Sequence, residues 1–113
     1  MIIYHIARKT SVQDLSDGEE YTGDTLKTEG FIHCSTAAQV MVVANQRFKG
    51  QSGLVLLCIE MDLVNPEIRF ENLEGGNNLF PHIYGPLNRE AIRKIVELTP
   101  GKDGDFTFPG DAY

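Results

Sequence analysis

Three histidines are all this chain carries, and each sits among apolar or aromatic neighbours: His5 in "IYHIA", His33 in "FIHCS" and His82 in "FPHIY". An imidazole titrates near neutrality, so it can serve as a general base, a hydroxyl anchor or a metal ligand. Taken singly, each reads more readily as a core histidine held by a neighbour's hydrogen bond. That all three avoid the polar stretches points to a shared cleft. In an extended chain His33 and Ser35 share a face with Phe31, while Ile32 and Cys34 point the other way. The strand then runs straight into a helix, where Thr36, Ala37 and Ala38 offer backbone N–H groups suited to an anion or a ribose-phosphate. The plainer alternative is that Ser35 merely caps that helix.

Three chemistries compete for these residues. Three neutral imidazoles could hold a catalytic metal with an open position, as in a metal-dependent hydrolase. No two of them have i, i+2 or i, i+4 spacing and there is no CxxC pair, so no metal ligand is assigned. Ser35 or Cys34 could be a nucleophile with a histidine base, yet no GxSxG turn surrounds Ser35 and Cys34 faces the wrong way. The third chemistry is ligand binding and group transfer in a cleft between strands, with His5, His33, Ser35 and His82 as catalytic candidates. Tyr84, two residues beyond His82, would stack on a planar ring or form part of the core, and Gly85-Pro86 makes the turn that holds it. Asn45 either reaches the cleft from an apolar helix or faces solvent. Asp24 caps a turn or braces a loop, and Glu71 pairs at best loosely with Arg69.

The elements that must place these residues follow from hydrophobic periodicity. Residues 2–7 alternate as a strand, with Ile2, Tyr4 and Ile6 on one face and Ile3, His5 and Ala7 on the other. Ser11 opens a short helix, with Asp14 as its capping partner and Gly18 as its stop. Residues 19–30 read as an ordered loop with one helical turn, a length that in a compact domain usually serves function. Residues 31–35 form a strand. Thr36 and Gln39 then make a capping box for a helix over 37–49, ended by Gly50. "LVLLCIEMD" (54–62) is a central strand buried on both faces. Residues 67–73 alternate as a half-wet strand, 74–78 form a turn, and 80–87 continue extended. A helical turn capped by Asn88 and a strand near 94–98 complete a domain over 1–100. The glycine-rich segment 101–113 reads as a flexible tail. Strands outnumber helices, which gives an α+β fold with a mostly antiparallel or mixed sheet and two or three short helices.

The bulk numbers set outer limits. A chain of 113 residues that is 42% hydrophobic and 23% charged is an ordinary single globular domain. Its net charge of -6 argues against a nucleic-acid duplex as partner, since that contact needs a basic surface. A small-molecule or nucleotide ligand remains compatible with it. No apolar run spans a bilayer and the first residues do not resemble a signal peptide, so neither a membrane partner nor secretion is expected and the cytoplasm is. Two cysteines inside apolar runs suggest buried thiols rather than a disulfide. The pattern carries no signal of oligomeric state.

Taken together, "IYHIA", "EGFIHCST" and "FPHIYGPL", with the linking "YTGDTL", "VANQRF" and "IRFE", resemble the DUF952 family over about residues 2–98. That resemblance implies an ADP-ribosyltransferase-like fold, a split α+β sheet around a nicotinamide-nucleotide cleft, with NAD as a substrate. It implies that His5, following Tyr4 on the first strand, bonds a ribose hydroxyl, and that His33 to Thr36 shape the nicotinamide pocket. It also implies a catalytic glutamate on a later strand. By order along the chain that position falls to His82, with Glu71 in "IRFE" the nearest acid, as in the histidine-bearing branches that include RNA 2'-phosphotransferases. The substrate-binding set expected on this basis is Tyr4, Thr36, Asn45, Glu71 and Tyr84. A non-catalytic nucleotide-binding module is the alternative.

Overall fold

A computed structural model describes the chain except for Asp14, Asp17, Leu73, Glu74, Gly75, Asn77 and Tyr113. The capping contribution expected of Asp14, the end of the 67–73 strand and most of the 74–78 turn therefore lie outside the described residues. In chain order the elements are β1 (Ile2–Arg8), α1 (Lys9–Val12), β2 (Glu20–Tyr21), α2 (Leu26–Glu29), β3 (Ile32–His33) and α3 (Ala37–Arg47). They continue with β4 (Leu54–Glu60), β5 (Glu67–Glu71), β6 (Phe80–Tyr84), β7 (Leu87–Asn88) and β8 (Ile92–Leu98). Single 3-10 turns follow β4 and β7 and close the C-terminus. The fold is α+β, its strand pairs are antiparallel and its helices are short. Among the described residues no helix is long and apolar enough to cross a membrane.

The continuous apolar run of β4 is buried on both faces because it is the middle strand of the order β1-β4-β8. A second sheet has the order β3-β6-β5, and β2 pairs with β7 as a short ribbon. One face of β1 and β4 (Ile3, Ala7, Leu57, Ile59) packs with Ile32 and Ile83 of the second sheet. The opposite face (Tyr4, Leu56, Cys58) packs under α3 through Val40. The Thr36–Gln39 capping box forms, with the Thr36 N–H donating to Gln39 Oε1 at 3.0 Å.

Three expectations are corrected. The helix of 37–49 ends at Arg47, where Phe48 leaves helical geometry. The first helix opens at Lys9 rather than Ser11. The segment after Pro100 packs on the protein: Phe106 is 3% exposed and Ala112 is 1% exposed. Asn45 binds this segment from both ends of its amide, accepting from the Phe106 N–H at 2.6 Å and donating to the Phe106 carbonyl at 3.2 Å. Burying a phenylalanine is worth roughly 1.5–3 kcal/mol, an anchor that the glycines of the stretch concealed.

Candidate functional site

The two sheets touch along one backbone rung. Tyr4 and Ser35 exchange N–H···O bonds of 2.8 Å each way. In an antiparallel ladder the next such rung would join Ile6 to His33. It does not form. The His33 carbonyl instead accepts from His5 Nδ1 at 2.5 Å, so a side chain takes the place of the ladder partner. Because N–H and C=O directions alternate along a strand, those of Ile6 point the same way as those of Tyr4, into the opening. Among the described residues they have no backbone partner. A cleft of about 390 Å³ begins where the ladder stops.

His5 is neutral by construction. Its Nδ1 donates to a carbonyl, so Nε2 is the acceptor and receives the Tyr21 hydroxyl at 2.8 Å. Burial lowers its pKa to about 4, outweighing the His33 carbonyl bond that favours the charged form. Burial likewise raises the Tyr21 hydroxyl well above the ordinary phenol value, with the Asp24 charge adding to it. The pair is a fixed hydrogen-bond relay, not a proton exchanger at neutral pH.

The other two histidines lie on the second sheet. His33 and His82 are cross-strand partners, and the Cys34 N–H to Pro81 carbonyl bond makes theirs a non-hydrogen-bonded pair, the closer kind. Their rings lie 5.3 Å apart, edge to face. His82, 4% exposed, meets Glu71 Oε1 through Nδ1 at 3.0 Å. The Tyr84 hydroxyl donates to that same oxygen, so Oε2 has no partner among the described residues. Hydrogen bonds from Tyr84 and then His82 hold the Glu71 carboxyl below its usual range. Arg69 sits over the Tyr84 ring at 4.5 Å and pairs with Glu67, not with Glu71. His33 Nε2 faces Glu29 at 3.3 Å. Phe31 fills the angle between these groups, its ring 4.7 Å from that of His33 and 4.4 Å from that of His82. Gly30, at φ 86, ends α2 in the left-handed region and turns the chain so that Phe31 enters there. Gly85 passes so close to Pro66 that a Cβ would lie 3.0 Å from it, which seats Tyr84 firmly.

The expected residues divide into two groups. His5, His33, Ser35, His82 and Glu71 line the cleft, Ser35 with 5% exposure. Tyr84 joins them through Glu71. Tyr4 contributes its backbone, but its ring packs edge-on against Phe108 and its hydroxyl donates to the Ala112 carbonyl at 3.2 Å. Asn45, occupied by Phe106, points to the C-terminal segment, and Thr36 serves the helix cap. The sequence reading missed Tyr21 and Glu29, which reach the histidines only through the fold, and Arg8 and Arg47, which line the far end. Among the described residues no three His, Cys, Asp or Glu side chains gather as metal ligands would.

No curated protein matches the chain. Its fold is similar to the crystal structure of protein CC0527 from Caulobacter crescentus, with 28% identity, a TM-score of 0.76, and coverage of 95% of this chain and 94% of that one. The solution NMR structure of CC0527 agrees, at 29% identity, TM-score 0.72, and coverage of 92% and 90%. A family model described as "Protein of unknown function (DUF952)" matches residues 6–95, which takes in His33 and His82 and begins one residue after His5. With that span matched and the cleft residues falling on the motifs that suggested it, the chain belongs to the DUF952 family.

Proposed function

We propose that the cleft is the active site of a small transferase of the ADP-ribosyl or phosphotransferase type, using NAD or a close relative as substrate. The observation that carries this reading is Glu71, a carboxylate in the cleft wall with one oxygen tied to His82 and Tyr84 and the other unengaged among the described residues. When the nicotinamide–C1′ bond breaks, its electron pair leaves with nicotinamide and positive charge develops on the ribose. A carboxylate stabilises that charge better than an imidazole does. An acceptor hydroxyl then attacks C1′ and its proton passes to His82 Nε2, the ring nitrogen opposite the one that faces Glu71.

Other features agree with this reading. The split between two sheets is the arrangement that an ADP-ribosyltransferase-like fold implies. The outward N–H and C=O of Ile6, a residue of the cleft wall, match the C=O and NH₂ of a primary carboxamide. A cytoplasmic location, expected from the sequence, suits a nucleotide substrate.

Titration with NAD, ADP-ribose and nicotinamide, followed by chemical shift, is the first test. Shifts centred on His5, His33, Ser35 and His82 are expected, with release of nicotinamide from NAD. Glu71→Gln keeps the binding and slows release by roughly a hundredfold or more, the scale of losing a transition-state charge contact. Binding without release would make the protein a non-catalytic nucleotide-binding module. Silence at millimolar ligand overturns the reading.

A further inference from the structure

Arg8 and Arg47 line the same cleft as the histidines, in a chain with 16 acidic residues against 10 basic ones. The fold places both at one end of that cleft. Arg8 lies on the Tyr4–Ile6 face of β1 and is opposite Leu54. Leu54, Ile6 and Phe48 pack together beneath the end of α3, where Arg47 occupies the last turn. Gln46 and Gln51 line that end beside them. The neighbouring cations are matched by surface carboxylates, Lys9 with Glu97 at 2.6 Å and Lys49 with Asp105 at 3.2 Å. Among the described residues Arg8 has no such partner. The other end of the cleft carries Glu29 and Glu71, which would repel an anion from the histidines.

We infer that the Arg8–Arg47 end of the cleft is a phosphate subsite, which makes the ligand a phosphorylated nucleoside with its base-proximal ribose at the histidines. Guanidinium groups bind phosphate as planar two-donor forks, and two of them flanking one opening favour a dianionic group over a carboxylate. Arg8 lies three residues beyond His5 on β1, about 10 Å along the strand, so the subsite is at a separate end of the cleft from the histidines. The opposed charges at the two ends also set the direction in which the ligand lies. Placement of the ribose rests on the transferase reading, whereas the phosphate subsite does not. Arg47 also suits the negative end of α3, a role that would affect stability and not ligand preference.

Nicotinamide mononucleotide and nicotinamide riboside differ only in the phosphate, so titrating both against the full chain isolates the subsite. The mononucleotide should bind tighter by roughly tenfold or more, the scale of a hydrogen bond to a charged group. That preference should collapse in Arg8→Gln and Arg47→Gln, survive in part in Arg47→Lys, and shrink as salt is added. Riboside binding should be unchanged in all three variants. Equal affinity for the two compounds, or a preference untouched by both glutamine variants, overturns the inference. If neither compound binds, the transferase reading fails and inorganic pyrophosphate decides the subsite alone. Shifts at residues 8 and 47 that vanish in the glutamine variants keep it and assign it to a free anion, and no shifts overturn it.

Discussion

His5 shows how much one side chain does here, and its protonation has a direct thermodynamic consequence. The unfolded chain binds its proton near pH 6.5, whereas the folded chain does so only at about 4. Above pH 6.5 both states hold the neutral ring. As pH falls from 6.5 towards 4 the unfolded state gains a proton that the folded state refuses, so stability is lost across that window, by at most about 3 kcal/mol. Urea denaturation of wild type and His5→Gln between pH 7 and 4 should show a steeper loss in wild type, with the difference confined to that range. His33 is the opposite case. It is half-buried and its contact to Glu29 is long at 3.3 Å, so His33→Ala should change stability by less than about 1 kcal/mol while weakening nucleotide binding. Calorimetric unfolding beside a ligand titration checks both halves, and an unfolded variant would count against a site role. That both histidines would line a shared cleft was legible in their sequence setting. Their partners Tyr21 and Glu29 were not, because pairing across a fold leaves no mark on local spacing.

At the level of elements, what local chemistry dictates was readable and what distant packing dictates was not. The capping box at Thr36 and Gln39, the doubly buried β4 and the alternation of β1 all reflect neighbours along the chain. The β2–β7 ribbon pairs Glu20–Tyr21 with Leu87–Asn88, two residues against two with no apolar period to announce them. Asn88 stands at the N-cap of the turn after β7 as expected, but its side chain makes no cap bond and bridges the Asn65 N–H and the Leu63 carbonyl. Asn45 was placed at the cleft because it is polar in an apolar helix. Its polarity serves the backbone of Phe106 instead, a partner 61 residues away. Asn45→Ala leaves two part-buried backbone groups unmatched and should cost about 1–3 kcal/mol without changing ligand affinity. Chemical denaturation and a binding isotherm on the same variant separate the two effects.

The whole molecule is held by three apolar clusters on either side of β1 and β4, and both thiols lie inside them. Burial raises Cys34 and Cys58 above their ordinary values, so neither is a thiolate at neutral pH. Iodoacetamide at pH 8 should therefore add no label to the native protein and two labels in denaturant, as counted by mass. The fold class was legible because strand alternation and apolar runs declare it. The split was expected only through the family resemblance, because local patterning does not show one imidazole reaching over a strand edge. Replacing His5 by valine would free the His33 carbonyl for the Ile6 N–H, and the two sheets could zip one rung further. Hydrogen exchange would then find the Ile6 amide slowed. Adaptation towards stability alone would thus tend to heal the seam, and the reward would be a sounder β-structure with nothing left to hold.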